Sequence, residues 1–127
     1  MSKKVMIIED IPLVLGILTQ AFKDEGYEVV SVENGEEGVK KSKSENPDLV
    51  IIDTILPGID GFEVCKLIKK GSESQLPKVI MMTGTVDAID AVKARKMGAD
   101  DYCAKTSDLS LLVEAANKLL SSQDINE

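Results

Sequence analysis

Leu49 to Ile52 form an unbroken apolar run that ends directly in Asp53. A run of this kind, rich in β-branched residues, suits a strand covered on both faces, as in a parallel sheet flanked by helices. A turn built on Pro57, Gly58 and Gly61 follows within a few residues, so Asp53 stands at the carboxyl end of its strand. Open α/β sheets place their chemistry at that end. The constraint becomes a fold only if the same unit recurs along the chain.

It recurs in every part of the chain. Lys4 to Glu9 reads as a first strand with Val5, Met6, Ile7 and Ile8 as its body. Pro12 opens a helix whose Leu13, Val14, Ile17, Leu18, Ala21 and Phe22 are expected inside, with Gly26 as the stop. Tyr27 to Val32 is a second strand, and Asn34 is positioned to cap a helix over Glu36 to Glu45. That helix has almost no apolar face beyond Gly38 and Val39, so weak packing is expected of it before Asn46-Pro47 ends it. After the strand Asp48 to Asp53, a helix over Gly61 to Lys70, capped by Asp60, buries Val64, Leu67 and Ile68, with Cys65 beside them. Lys78 to Thr83 is a fourth strand. Val86 to Met97 reads as an amphipathic helix presenting Ala88, Ala91, Val92 and Ala94, stopped by Gly98. Asp101 to Lys105 is a fifth strand, and Asp108 to Ser121 a last helix capped by Ser107.

Five alternating strand and helix units imply a mostly parallel α/β sheet, doubly wound, with right-handed crossovers and helices on both faces. An eight-stranded barrel needs roughly twice this chain. The 127 residues, 43% of them hydrophobic, suffice for a single domain with a substantial core. We expect that domain to occupy residues 1–122, followed by a polar tail, 123–127.

Composition removes several functions. With 22 acidic against 15 basic residues and a formal charge of -7, the chain lacks the basic surface that direct binding to nucleic acid or an anionic membrane requires. No segment approaches the ~18 apolar residues of a membrane span, so membrane insertion is not expected and a cytoplasmic location is. Cys65 and Cys103 show neither disulfide-framework nor zinc-ligand spacing. Histidine is absent, which excludes Ser-His-Asp and Cys-His nucleophile arrangements. Any chemistry rests on carboxylates, lysine and hydroxyls.

Parallel strands all point the same way, so their ends gather on one edge. Those ends carry Glu9-Asp10, Val32-Glu33, Asp53, Thr83-Gly84 and Lys105. If the first and third strands are neighbours, Glu9, Asp10 and Asp53 cluster, and an all-oxygen site of that kind suits magnesium. Thr83 and Lys105 could then bind the other oxygens of a tetrahedral anion, with Asp53 as nucleophile for a phosphoryl group. Each residue alone has an ordinary reading: acids at a helix N-terminus, a turn aspartate, a capping threonine, a surface lysine. Those readings leave the convergence on one sheet edge unaccounted for.

At these residues the chain resembles the receiver domain of two-component response regulators, of the stand-alone, chemotaxis-regulator-like kind. The matching pieces are IIED, IIDTILPGIDG, MMTG and GADDYCAK, in that order, and the resemblance spans about Lys3 to Leu120. It implies a flavodoxin-like (βα)5 fold with strand order 2-1-3-4-5. It also implies that Asp53 accepts a phosphoryl group from a phosphohistidine of a sensor histidine kinase or histidine phosphotransfer protein. Asp10 would bind Mg2+ directly, Glu9 through water, and Asp53 and the backbone carbonyl of Ile55 would complete the protein ligands. Thr83 and Lys105 would hold phosphoryl oxygens, and Tyr102 would turn inward as a switch when Thr83 moves. The surface of the last two helices and last strand, with Ala88, Val92, Tyr102 and Leu112, would engage a downstream protein partner or separate effector. The protein would act as a monomer or a weak phosphorylation-dependent dimer, and its only catalysis would be of its own phosphorylation and dephosphorylation.

Two positions depart from the family pattern. Glu9 replaces the more usual aspartate, and its longer side chain still reaches a metal through water. Thr106 replaces a proline that follows the lysine across a cis peptide bond. A cis bond before a non-proline residue costs about 3 kcal/mol. Because Lys105 must point into the pocket, we expect the Lys105-Thr106 bond to be cis.

Other functions fit less well. An aspartate-nucleophile phosphatase of the haloacid dehalogenase type needs a second acid two residues after the nucleophile, where Ile55 stands. A flavodoxin-like cofactor carrier needs a Ser-, Thr- and Gly-rich loop after the first strand, where EDIPL stands. A pseudo-receiver, a phosphorylation-independent protein interaction module, has Thr106 as its only support. Ile55 and Thr85 flank the acceptor and the threonine, where side chains would govern access of hydrolytic water.

Overall fold

The computed structural model describes residues 2–70, 76–84, 87–106 and 108–125. Its strands are β1 (Lys4–Ile8), β2 (Glu28–Val32), β3 (Leu49–Asp53), β4 (Lys78–Thr83) and β5 (Asp101–Ala104). Between and after them run α1 (Pro12–Asp24), α2 (Gly35–Glu45), α3 (Gly61–Lys69), α4 (Ala88–Lys96) and α5 (Ser110–Ile125). All strand pairings are parallel and the sheet order is β2-β1-β3-β4-β5. This is the flavodoxin-like, doubly wound arrangement expected of the chain.

The period of two along each strand divides the core into two. Met6, Ile8, Val50, Ile52, Val79 and Met81 face α2, α3 and α4. Val5, Ile7, Leu49, Ile51, Ile80 and Met82 face α1 and α5. Each such side chain, withdrawn fully from water, contributes about 1.5–3 kcal/mol before the entropy of ordering is counted. The central strands β1, β3 and β4 are buried on both sides, which is why their sequences read as continuous apolar runs.

Helix faces are where the structure departs from the sequence reading. In α1 the buried stripe is Leu15, Leu18 and Phe22, while Leu13 is 75% and Ile17 53% exposed. The helix carries more apolar residues than one face holds, and only docking on the sheet selects the stripe. In α2 the shortage of apolar side chains is met by glycine. Gly35 and Gly38 are buried, and a β-carbon on Gly38 would overlap the Ile8 side chain, so the helix backbone itself rests on β1. Leu67 is only half-buried in α3, where Phe62 and Cys65 join Val64 and Ile68 inside. α4 is not an amphipathic core helix: Ala94 is its one buried residue, while Ala88, Ile89 and Val92 are exposed. α5 continues past Ser121 to Ile125.

Caps follow the sequence more closely. The side chain of Asn34 accepts from the Glu37 N–H, and that of Asp60 from the Glu63 N–H, each at 2.9 Å. Asp87 caps α4 by accepting from Ile89 N–H at 2.7 Å. Ser107, Val86 and Thr85, to which the sequence reading gave roles, lie outside the described residues.

Candidate functional site

The register of the sheet delivers the strand-end residues to one level. Ile8 pairs with Ile52, so Glu9 and Asp53 leave β1 and β3 side by side. Asp53 pairs with Met82, and Thr83 with Ala104, which brings Thr83 and Lys105 to the same edge. Backbone bonds extend the ladder past the strands: Glu9 N–H donates to Val32 O (3.0 Å), Thr54 N–H to Met82 O (2.9 Å) and Lys105 N–H to Thr83 O (2.5 Å).

Glu9, Asp10 and Asp53 can each direct one carboxylate oxygen to within 4.8 Å of the others. Glu9 is fully buried and Asp53 is 5% exposed, whereas Asp10 is half-buried. Like charges this close repel, and Lys105 supplies the offset. Its Nζ lies 2.5 Å from Glu9 Oε1 and 2.8 Å from Asp53 Oδ2. The remaining oxygens are also engaged, since Ile11 N–H donates to Glu9 Oε2 and Ile55 N–H to Asp53 Oδ1, both at 3.1 Å.

Burial pushes the Glu9 carboxyl above the ordinary value, and the Asp53 charge adds to this against the opposing pull of Lys105 and the Ile11 amide. For Lys105, burial works toward a lower value, but its bonds to Asp53 and Glu9 outweigh it and the ammonium is held above its ordinary range. Both groups are therefore defined by the pair they form.

Lys105 reaches this position from a trans backbone. No cis peptide bond occurs among the described residues, so the expected cis Lys105-Thr106 bond is not formed. The lysine stem is long enough to bring Nζ between the two carboxylates, and the Thr106 hydroxyl instead donates to Asp108 O at 2.6 Å. The trans bond also carries none of the energetic cost of a non-proline cis peptide.

Thr83 is buried at the end of β4. Tyr102 is half-buried on β5, paired with Met81 and packed against the core on the α3 side. Its hydroxyl is buried and has no hydrogen-bond partner among the described residues. Ile55 is 78% exposed, two residues beyond Asp53. The cluster is an all-oxygen donor set with one fully buried member, which suits a small hard divalent cation such as Mg2+.

The sequence did not reveal the Glu9-Lys105 contact or the donor from Ile11. The second had a signal: Pro12 at the start of α1 makes Ile11 its N-cap, and a free amide at a helix start is available to the preceding carboxylate. Gly61 is the other concealed determinant. A β-carbon there would overlap the Asp53 carbonyl oxygen, so the start of α3 closes on the end of β3 only with glycine.

Comparison with known proteins agrees with this geometry. Residues 5–117 match the family described as the response regulator receiver domain. The chain is 34% identical over 105 residues to the alkaline phosphatase synthesis transcriptional regulatory protein PhoP of Bacillus subtilis, covering 83% of this chain and 43% of that protein. It thus spans less than half the length of that relative. Protein PilH of Pseudomonas aeruginosa is 31% identical over 118 residues, covering 93% of this chain and 98% of PilH. Among solved structures, response regulator protein TrrA of Thermotoga maritima, in complex with Mg2+ and BeF, superposes with a TM-score of 0.82. It is 35% identical, with coverage of 92% of this chain and 98% of that one.

Proposed function

The chain belongs to the receiver-domain family of two-component response regulators, and on that premise we propose that Asp53 is its phosphoryl acceptor. The donor is a phosphohistidine of a sensor histidine kinase or of a histidine phosphotransfer protein. A carboxylate oxygen of Asp53 attacks phosphorus, the P–N bond to the donor imidazole breaks, and the ring nitrogen leaves with the bonding pair.

The observation that carries this reading is the position of Lys105, held between Glu9 and Asp53. An ammonium already paired with the acceptor carboxylate is poised to follow the negative charge onto a phosphoryl oxygen. Thr83, at the end of the adjacent strand, donates its hydroxyl to another of those oxygens. Asp10, Asp53 and the Ile55 carbonyl, with Glu9 through water, would hold Mg2+, and the ion would supply neutralising charge to the phosphoryl group. Tyr102 then turns further inward, and the face of α4, β5 and α5 changes for a downstream protein partner. In this reading the receiver occupies residues 1–122 and works in the cytoplasm as a signalling domain that catalyses only its own phosphorylation and dephosphorylation.

Incubation with Mg2+ and acetyl phosphate, followed by intact-mass measurement, tests the proposal. The expected result is a single phosphoryl adduct that is lost in Asp53→Asn. A folded protein that forms no adduct and binds no Mg2+ would overturn it in favour of a phosphorylation-independent interaction module.

A further inference from the structure

The helix after the acceptor strand is pinned at its first residue. Gly61 N–H donates to Thr54 O (3.1 Å), and its α-carbon lies too near the Asp53 carbonyl for any β-carbon. Phe62 is next and is buried. On α4, Lys93 places its Nζ 4.4 Å from the centre of the Phe62 ring, inside the ~6 Å reach of a cation–π contact.

α4 also packs against β5. Among the described residues it buries only Ala94. At its C-terminal end the Cys65 thiol donates to Met97 O at 3.5 Å. Phe62 and Cys65 both belong to α3, so α4 is fastened at both points to the helix that starts at the acceptor. Its outer side keeps a shallow groove lined by Ala88, Ile89, Val92, Lys93 and Lys96. Lys93 thus touches the Phe62 ring and the groove at once.

The geometry points to Phe62 and Lys93 as positioning residues that carry a change at the acceptor end of β3 to α4. This rests on Asp53 being the acceptor. A shift of the Asp53-Thr54 backbone moves Gly61 and Phe62 as one body, and Lys93 follows the ring or loses it. This route leaves Asp53 through Thr54 and α3, whereas the other runs through Thr83 on β4 to Tyr102 on β5; Phe62 and Tyr102 pack in the same core cluster. Coupling of this kind is demonstrated by a double-mutant cycle on a measurable response.

The test is amide hydrogen exchange across α4 in the wild type, Phe62→Leu, Lys93→Met and the double variant. Each is measured before and after Mg2+ and acetyl phosphate, with adducts counted by intact mass in the same samples. Leucine keeps Phe62 apolar, and Lys93 is an exposed position whose replacement tests the contact even where Phe62→Leu lowers stability. At rest each single variant is expected to speed α4 exchange about 2- to 5-fold, the range of a surface cation–π contact. The double variant should be no faster than the faster single. Adduct formation should be unchanged, and the adduct-dependent change in α4 exchange should shrink by at least about half in all three. Strictly additive single effects, or variants that respond to the adduct as the wild type does, would overturn the inference. A wild type that forms no adduct removes the acceptor reading and the transmission with it, while the resting comparison still decides the contact itself.

Discussion

Lys105 Nζ stands 2.8 Å from Asp53 Oδ2, although 52 residues separate the two in the chain. The same ammonium meets the buried Glu9 carboxylate, so one cation balances two acids on adjacent strand ends. Several properties of the protein depend on that balance.

Lys105→Ala leaves Glu9 and Asp53 facing each other without an offset. Removing one partner of a fully buried pair costs about 3–5 kcal/mol. Lys105 keeps a fifth of its side-chain surface in water, so a loss on the order of 1–3 kcal/mol is expected here. Urea unfolding without divalent metal measures it. Titration with Mg2+ should restore much of the lost stability, and Mg2+ binding should survive better than the phosphorylation-dependent change. Equal loss of both would show that the lysine serves the metal cluster as a whole.

Two glycine substitutions should have opposite signs. At Gly16, in the middle of α1, an added β-carbon meets nothing within 4 Å. Gly16→Ala is expected to stabilise by about 0.5–1 kcal/mol through helix propensity. Gly61→Ala drives a methyl into the Asp53 carbonyl and should destabilise by about 1–3 kcal/mol while slowing adduct formation. Thermal melts and intact mass on both variants check the pair.

The two apolar faces of α1 should be energetically unequal. Leu18→Ala opens a cavity beneath a fully covered side chain and is expected to cost about 2–5 kcal/mol. Leu13→Ala, on the exposed side, should stay within about 0.5 kcal/mol of wild type. Chemical denaturation midpoints distinguish them.

Stability should fall as pH rises above about 9. Burial pushes the thiols of Cys65 and Cys103 from 9.0 up to about 11. Between those values the unfolded chain has released protons that the native state keeps, so stability decreases with pH. Lys105, held above 10.5 by Asp53 and Glu9 against its burial, acts in the same direction: its contribution is full below 10.5 and is lost above the raised value. Urea midpoints from about pH 8 to 11 should decline, and Cys65→Ala should flatten the first part of the decline.

The sequence by itself determined the fold and which polar residues share one edge of the sheet. Continuous apolar runs ending in polar residues, separated by helix-length segments with Asn34 and Asp60 in capping positions, admit little besides a doubly wound parallel sheet. A parallel sheet then gathers Glu9, Asp10, Asp53, Thr83 and Lys105 on one edge whatever the details, because strand direction is common to all. Helix faces were another matter. α1 carries apolar residues around more than half its circumference, and only contact with β1 and β2 chose Leu15, Leu18 and Phe22 over Leu13 and Ile17. α2 appeared poorly packed because packing through Gly38 leaves no hydrophobic signal to read. α4 appeared amphipathic but buries Ala94 alone, packing on β5 and meeting α3 through Phe62 and Cys65.

Within the site, the expectation of a cis bond before Thr106 came from the family pattern and from the rule that Lys105 must point into the pocket, against the local cost of a non-proline cis bond. The trans chain found in the structure shows what such rules omit. A flexible four-carbon stem reaches its partners from more than one backbone path, and the partners are fixed by β1 and β3, not by the loop. Residue types and strand ends were therefore legible along the chain. Which acid the lysine meets, and which elements hold α4, were settled only by distances between elements far apart in sequence.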